Sequence, residues 1–293
     1  MSGEGRSGVG GPGVASARGG THCPRWPIAI CSWSLRLDVE GVSKAMDRLG
    51  VAHVNLALRP ALREGGEGYL DAVRHQRWKI SAATIGFPQE DYTSLESIRA
   101  TGGIVPDAHW PTNRTLFERA VAITSELGVP SLTMHAGFIE DGDAAQSKRI
   151  RDRLALLADI SGNRGITLLM ETGQERAAHL REFLQGLGHP MLGVNFDPAN
   201  MILYDKGDPA EAVHTLGGWI KHVHIKDAIR TKTPGAWGTE VPWGEGQVGC
   251  GRFLRALNEI GFDGALAIER EAGDDRLGDI ARAVERLRAE MGI

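Results

Sequence analysis

Two histidines and two lysines share one short stretch, Ile220 to Ala228, which reads I-K-H-V-H-I-K-D-A. In a strand, side chains alternate, so His222, His224 and Lys226 project to one face. Strands buried between layers carry apolar groups on both faces, and an imidazole on the inward side needs a partner to offset its desolvation. Metal ligation is one such partner, and hydrogen bonding among core histidines is the other. Three acids stand at comparable places: Glu171 closes the run L-L-M-E, Asp197 closes V-N-F-D and Glu269 closes L-A-I-E. Any one of them could cap a following helix or pair with an arginine, and Asp197, which precedes Pro198, also suits a turn. Together in one mouth, three carboxylates repel one another unless a positive charge compensates. One divalent cation does so. Two Glu, one Asp and one His make an oxygen and nitrogen donor set suited to Mn2+, Mg2+, Co2+ or Zn2+, and the lack of cysteine among them removes the signature of a structural zinc site.

The elements that must position these groups follow from a rhythm of short apolar runs and longer helical segments. The runs are Ile28 to Trp33, His53 to Leu58, Ile80 to Ile85, Ser131 to Ala136, Ile166 to Glu171, Gly193 to Asp197, Ile220 to Ile225 and Ala265 to Glu269. Helical spacing marks Gly41 to Leu49, Tyr69 to Gln76, Thr112 to Leu127, Ala145 to Ser161, Ala177 to Leu187, Pro209 to Leu216, Cys250 to Ile260 and Asp275 to Met291. Gly50, Gly128, Gly165 and Gly261 stand where helices would close. This alternation predicts parallel strands joined by right-handed crossovers, closing into a single (β/α)8 TIM barrel over residues 25–293. An open doubly wound sheet is disfavoured, because the first strand ends in C-S-W-S rather than in a glycine-rich phosphate loop. In such a barrel the chemistry sits at the carboxyl ends of the strands. There the sequence places His135, Glu171, Asp197, His224 and Glu269, from the fourth strand to the eighth. Residues 86–111 and 229–249 both follow strands and are long enough to be binding loops over that end.

Composition narrows the partners. A formal net charge of -4 gives no general attraction for nucleic acid or anionic lipid, so neither is expected as a partner. Three cysteines, Cys23, Cys31 and Cys250, stand far apart in odd number, which fits a reducing cytoplasm better than a disulfide framework. No apolar run approaches the roughly 18 residues that span a bilayer, and a soluble, cytoplasmic protein is expected. Residues 1–24 are rich in Gly, Ser and Pro and have little to bury, which predicts a disordered tail.

Seven stretches carry a resemblance to a known family: T-G-G-I-V-P-D-A-H-W (101–110), H-A-G (135–137), M-E-T-G (170–173), N-F-D-P-A-N (195–200), H-V-H-I-K-D (222–227), W-G-E-G-Q-V (243–248) and A-I-E-R-E (267–271). Over roughly residues 26–290 the chain resembles the xylose-isomerase-like TIM barrels of the AP endonuclease family 2 type. That family includes sugar phosphate isomerases and epimerases, ketose 3-epimerases, inosose dehydratases and endonuclease IV. The resemblance implies metal ligands at Glu171, Asp197, His224 and Glu269, the four that the strand ends select, with the two glutamates also moving the proton. It implies His224 rather than His222 as the ligand, since an acid, Asp227, follows three positions later. Two departures are visible: Asn200 stands where similar ketose epimerases have histidine, and the loop after the seventh strand, G-T-E-V-P-W-G-E-G, lacks the histidine of the nuclease's cluster.

The expectation is therefore an isomerase or epimerase that uses one divalent metal ion and abstracts a proton beside the carbonyl of a sugar, keto-polyol or sugar phosphate, through an enediolate. Glu171 and Glu269 are its candidate acid and base. Trp33, His135, Asn200, His222, Lys226 and Glu245 are candidate substrate contacts, with His222 alternatively supporting the metal ligand from behind. Dehydration of a keto-polyol is the alternative chemistry; an endonuclease and a noncatalytic sugar-binding barrel are the alternatives from other classes. A homo-oligomer is compatible with all of these.

Overall fold

Among the described residues of the computed structural model, 26–140, 142–233 and 235–293, eight parallel strands close into a barrel. The tail expected over residues 1–24 lies outside them. In chain order the strands are β1 (Ile28–Cys31), β2 (His53–Ala57), β3 (Lys79–Ile85), β4 (Ser131–Met134), β5 (Thr167–Glu171), β6 (Leu192–Phe196) and β7 (Ile220–Ile225). A short antiparallel pair, β8 (Asp227–Ile229) with β9 (Thr239–Val241), precedes β10 (Ala265–Ile268), which pairs with both β7 and β1 and shuts the barrel. The eight runs read from the sequence are these eight barrel strands.

The helices are α1 (Val39–Leu49), α2 (Arg59–Leu62), α3 (Glu67–Arg74), α4 (Leu95–Thr101), α5 (Trp110–Glu126), α6 (Ala144–Gly162), α7 (Ala177–Leu187), α8 (Pro198–Leu203), α9 (Pro209–Leu216), α10 (Cys250–Glu259) and α11 (Arg276–Met291). Gly50, Gly128, Gly165 and Gly261 all take left-handed φ, between 62° and 70°, as helix closure requires. Sequence periodicity misses α2, α4, α8 and the β8–β9 pair, since each is too short to show a period. Local chemistry fixes them instead. α4 starts at Ser94, whose hydroxyl accepts from the Ser97 amide at 3.0 Å while Ser97 reciprocates, a capping box built without the usual Glu. α8 starts at Asp197, whose carboxylate accepts from the Asn200 amide at 3.0 Å, with Pro198 at its first position.

Alternation sorts the strand residues into two populations. Ile30, Val54, Leu56, Leu132, Leu168, Met170, Val194, Phe196, Val223, Ile225, Leu266 and Ile268 belong to one continuous apolar core with the surrounding helices. Ala29, Cys31 and Ala267 form a separate small cluster with Trp33. The remaining lumen is polar: Asn55, Thr133, Asn195, His222 and His224 are all buried. Small side chains on β1 and β10 therefore leave space for imidazoles and carboxylates contributed by β5, β6 and β7.

The loop after β3 carries α4 and is pinned by backbone geometry. Gly103 has φ 57°, and a Cβ there would overlap the backbone of Ala136, just beyond β4. Gly103→Ala should cost about 2–4 kcal/mol, combining a steric clash with left-handed strain. Calorimetry should show the melting temperature falling by roughly 5–15 °C; an unchanged melting temperature would show that this close approach is not required.

Candidate metal centre

Glu171 ends β5, Asp197 follows β6, His224 is the penultimate residue of β7 and Glu269 follows β10, so four strand ends deliver four ligating side chains to one place. One donor atom from each lies within 4.8 Å of all the others. His224 Nδ1 is 3.1 Å from Glu171 Oε1, 3.4 Å from Glu269 Oε2 and 3.8 Å from Asp197 Oδ2. Asp197 and His224 are fully buried, Glu269 is buried, and the Glu171 side chain keeps 13% exposure.

The donor set fits a cation by one test in particular. Asp197 spends Oδ1 on the cap of α8, while Oδ2 is buried with no hydrogen-bond partner. A buried carboxylate oxygen without a partner is costly, and a coordinated divalent ion is the partner that this oxygen, beside two more carboxylates and an imidazole, would take. A second trio of Cys31, His224 and Glu269 overlaps this set. Cys31 is less suited, since its thiol donates to Asn55 Oδ1 at 3.7 Å and burial pushes it up to about 12. Among the described residues no other such group is found, which matches one ion rather than a cluster of several.

Electrostatics show how the acids tolerate one another. Burial pushes Glu171 up to about 7 against the opposing pull of His224. Burial also pushes Glu269 upward, but Lys226 and His224 outweigh it and hold the carboxylate below its usual range. His224 is held well above its usual value, because Glu269 and Glu171 overcome the burial that opposes its charge. The cluster is thus balanced by protons and by Lys226, and a cation would displace the proton on the imidazole.

Of the expected substrate contacts, several lie against the four candidate ligands. Trp33 Nε1 donates to Glu269 Oε1 at 2.9 Å, so its indole orients a carboxylate as well as offering a ring. Lys226 Nζ donates to Glu269 Oε2 at 2.9 Å and to Glu271 Oε2 at 2.7 Å; its partners are these acids, not Asp227 or Glu171. Asn200 Nδ2 donates to Glu171 Oε1 at 3.3 Å. His135 is buried against the Gln174 amide, with the Tyr92 ring edge-on at 5.8 Å, and burial pushes it down to about 4. His222 is enclosed in the lumen, its ring centroid 5.9 Å from that of His224; it contacts Asn195 and Ser81, and burial pushes it down to about 3. Glu245 is exposed on its loop, and Glu240 is the acid of that segment that turns inward, to 3.9 Å from Lys226 Nζ.

Asp227 has a different task from its neighbours. Its carboxylate accepts from the amides of Ala228, Gly244, Gly246 and Val248, at 2.8 to 3.1 Å, and so fastens the W-G-E-G-Q-V loop beside the barrel mouth. Sequence reading did not single out Asn55, Asn195, Gln174, Tyr204 or Glu271. Asn195 could have been found, since it stands two residues before Asp197 and therefore on the same strand face. A cavity of about 490 Å3 is lined by Tyr204, Phe138, Arg99, Lys206 and Lys232.

A parallel eight-stranded barrel with a cluster of three carboxylates and an imidazole at its carboxyl end is a TIM barrel with a candidate metal centre. The chain belongs to the xylose isomerase-like TIM barrel family, whose model matches residues 44–290. A xylose isomerase domain protein from Planctomyces limnophilus superimposes with a TM-score of 0.81 at 30% identity, over 91% of this chain and 97% of that one. A xylose isomerase-like TIM barrel protein from Mycobacterium smegmatis, solved in complex with magnesium, superimposes with a TM-score of 0.70 at 18% identity, over 91% and 96%; this likeness is one of fold. A ketose 3-epimerase from Arthrobacter globiformis is 25% identical over 183 residues, covering 57% of this chain and 58% of that enzyme's length.

Cation uptake should be visible as stability. Calorimetry with Mn2+ at 100 times its dissociation constant should show about 2.7 kcal/mol of added stability, or roughly 5–10 °C. Asp197→Asn keeps a capping oxygen for α8 but weakens the unpartnered ligand position. The variant should fold without added ion and lose most of the Mn2+ increment; an increment equal to that of the parent would remove Asp197 from the ligand set.

Proposed function

We propose that this protein is a divalent-metal-dependent isomerase or epimerase acting on a sugar, keto-polyol or sugar phosphate by proton abstraction beside a carbonyl. The observation that carries the reading is the meeting of Glu171 and Glu269 at one point with Asp197 and His224, on a fold whose relatives include a ketose 3-epimerase. A divalent ion held by these four would supply Lewis-acid stabilisation of the charge that develops on substrate oxygens. The protein supplies the rest.

Glu171 and Glu269 are the proton carriers: one takes the proton from carbon and the other returns one, which gives epimerisation if they address opposite faces. Both oxygens of Glu269 are engaged, by Trp33 and Lys226, so its carboxylate is held in one orientation before substrate arrives. Asn200 does the same for Glu171. This replaces a histidine found in similar ketose epimerases with a neutral amide, and points to a substrate whose hydroxyl pattern differs near that position. His135 and Lys226 supply polar groups for substrate hydroxyls. The Asp227-fastened loop and Tyr92 narrow the mouth, which favours proton return from an enzyme carboxylic acid over exchange with bulk water.

The test is isotopic. Metal-loaded protein turning over a ketose panel in D2O should place deuterium on the carbon next to the carbonyl of the product. Glu269→Gln should slow that exchange by about 10²-fold or more while changing the Michaelis constant far less. Turnover without solvent deuterium would defeat the two-glutamate proton route and favour hydride transfer within the substrate. A product lacking one water would shift the reading to dehydration.

A further inference from the structure

The metal-facing atom assigned to His224 is Nδ1, the nitrogen turned toward the three acids. Once Nδ1 carries a cation, the proton of the neutral ring resides on Nε2, which must find an acceptor in the closed lumen. Two amides lie against it, Asn55 Oδ1 at 3.1 Å and the amide of Asn195, whose Nδ2 is also at 3.1 Å. Asn55 is fixed in orientation, because its own Nδ2 donates to the Ala82 carbonyl at 2.8 Å and to Thr84 Oγ1 at 3.1 Å. Its oxygen therefore faces His224. Asn195 has no such anchor: its other amide atom, Oδ1, lies 2.9 Å from His222 Nδ1.

With Nε2 protonated, Asn195 Nδ2 would set one donor against another, inside a site with no alternative acceptor for it among its described hydrogen bonds. A half-turn of the amide removes the conflict without moving a heavy atom appreciably, since the amide's oxygen and nitrogen are nearly isosteric. Every later bond then has one consistent direction. His224 Nε2–H is shared between Asn55 Oδ1 and Asn195 Oδ1, Asn195 Nδ2–H donates to His222 Nδ1, and His222 Nε2–H donates to Ser81 Oγ, 3.1 Å away. Ser81 Oγ–H closes the chain on the Val54 carbonyl at 3.2 Å.

We infer that Asn195, His222 and Ser81 form a directed hydrogen-bond relay that holds His224 with Nδ1 toward the cation, and that the relay sets His222 in its Nε2–H tautomer. The inference rests on the cation site proposed above. It makes Asn195 and His222 positioning residues: neither reaches the ion, and His222 acts through Asn195. The strand register supports this placement, since Asn195 on β6 is the partner of both Glu171 on β5 and His222 on β7. Asn195 on β6 and Asp197 just after it thus serve one centre from behind and in front.

Zn2+ is the probe, because it is diamagnetic and suits this donor set. Protein labelled with 15N-histidine and loaded with Zn2+ should show His222, identified by its loss in His222→Gln, as the Nε2–H tautomer in two-bond 1H–15N spectra. Competition with a chelating dye should show Asn195→Leu binding Zn2+ 10- to 100-fold more weakly. Asn195→Asp, which keeps an acceptor for Nε2–H, should stay within a few-fold of the parent. A purely structural role for Asn195 would not distinguish leucine from aspartate in this way when both variants melt alike. His222 as the Nδ1–H tautomer, or parental Zn2+ affinity in Asn195→Leu, overturns the relay while leaving the ligand set intact. A parent that takes up no Zn2+ or Mn2+ overturns the cation site, and the relay with it. The spectrum of the parent needs no core substitution, so the tautomer is decided even if Asn195→Leu fails to fold.

Discussion

Three carboxylates gathered at one buried point dominate the design of this molecule. Glu171, Asp197 and Glu269 would repel one another and resist desolvation, and the surrounding structure is arranged to make their meeting tolerable. Lys226 reaches in from the end of β7 to Glu269, Trp33 from the end of β1 to the same carboxylate, and Asn200 from α8 to Glu171. One oxygen, Asp197 Oδ2, is left without any such partner. His224 Nδ1 and Lys226 Nζ each stand 3.8 Å from it, too far for a hydrogen bond, and an oxygen so placed fits a divalent ion.

The same chemistry, used in reverse, shapes the loops. Carboxylates that accept backbone N–H groups hold each long connection in place over the mouth. Glu90 accepts from Phe87 and Gly103, Glu175 from Ile139, Glu240 from Glu271 and Ala272, and Asp227 from four amides of its own strand and the loop after β9. Loops have few buried apolar contacts, and a charge-assisted hydrogen bond to an amide is among the stronger local restraints open to them. Burial pushes both Glu90 and Glu175 up to about 7, so these two anchors accept more weakly where protonated. The acids at the carboxyl end of the barrel thus divide into those that face the centre and those that hold the walls.

Membership of the xylose isomerase-like family accords with the barrel, and the residues of the mouth set its local chemistry. Asn200 presents a neutral amide to Glu171, Glu240 and Glu271 place acids around Lys226, and the wall by the 490 Å3 cavity is built from Phe138, Tyr204 and Trp237 in edge contact. These residues stand outside the four candidate ligands.

Much of the molecule was legible in the residue order, and the reasons are physical. Apolar runs alternating with helical periods force a two-layer barrel, because each run must bury both faces and each helix one. Acids and a histidine at the ends of such runs must then share one rim, which is why Glu171, Asp197, His224 and Glu269 could be named together before any distance was known. Short elements escaped, since four to seven residues of α2, α4 and α8 carry no period, and the β8–β9 pair is held by cross-strand bonds rather than by propensity. Tertiary structure alone decided the pairings. Lys226 chose Glu269 and Glu271 over its sequence neighbour Asp227, Trp33 became a hydrogen-bond donor, Glu240 turned inward where Glu245 stayed in solvent, and Asn195 and Asn55 came to flank His224. Sequence determines which side chains reach a common rim, through periods of two and of 3.6. Which of them touch depends on strand register and barrel closure, which no single segment carries.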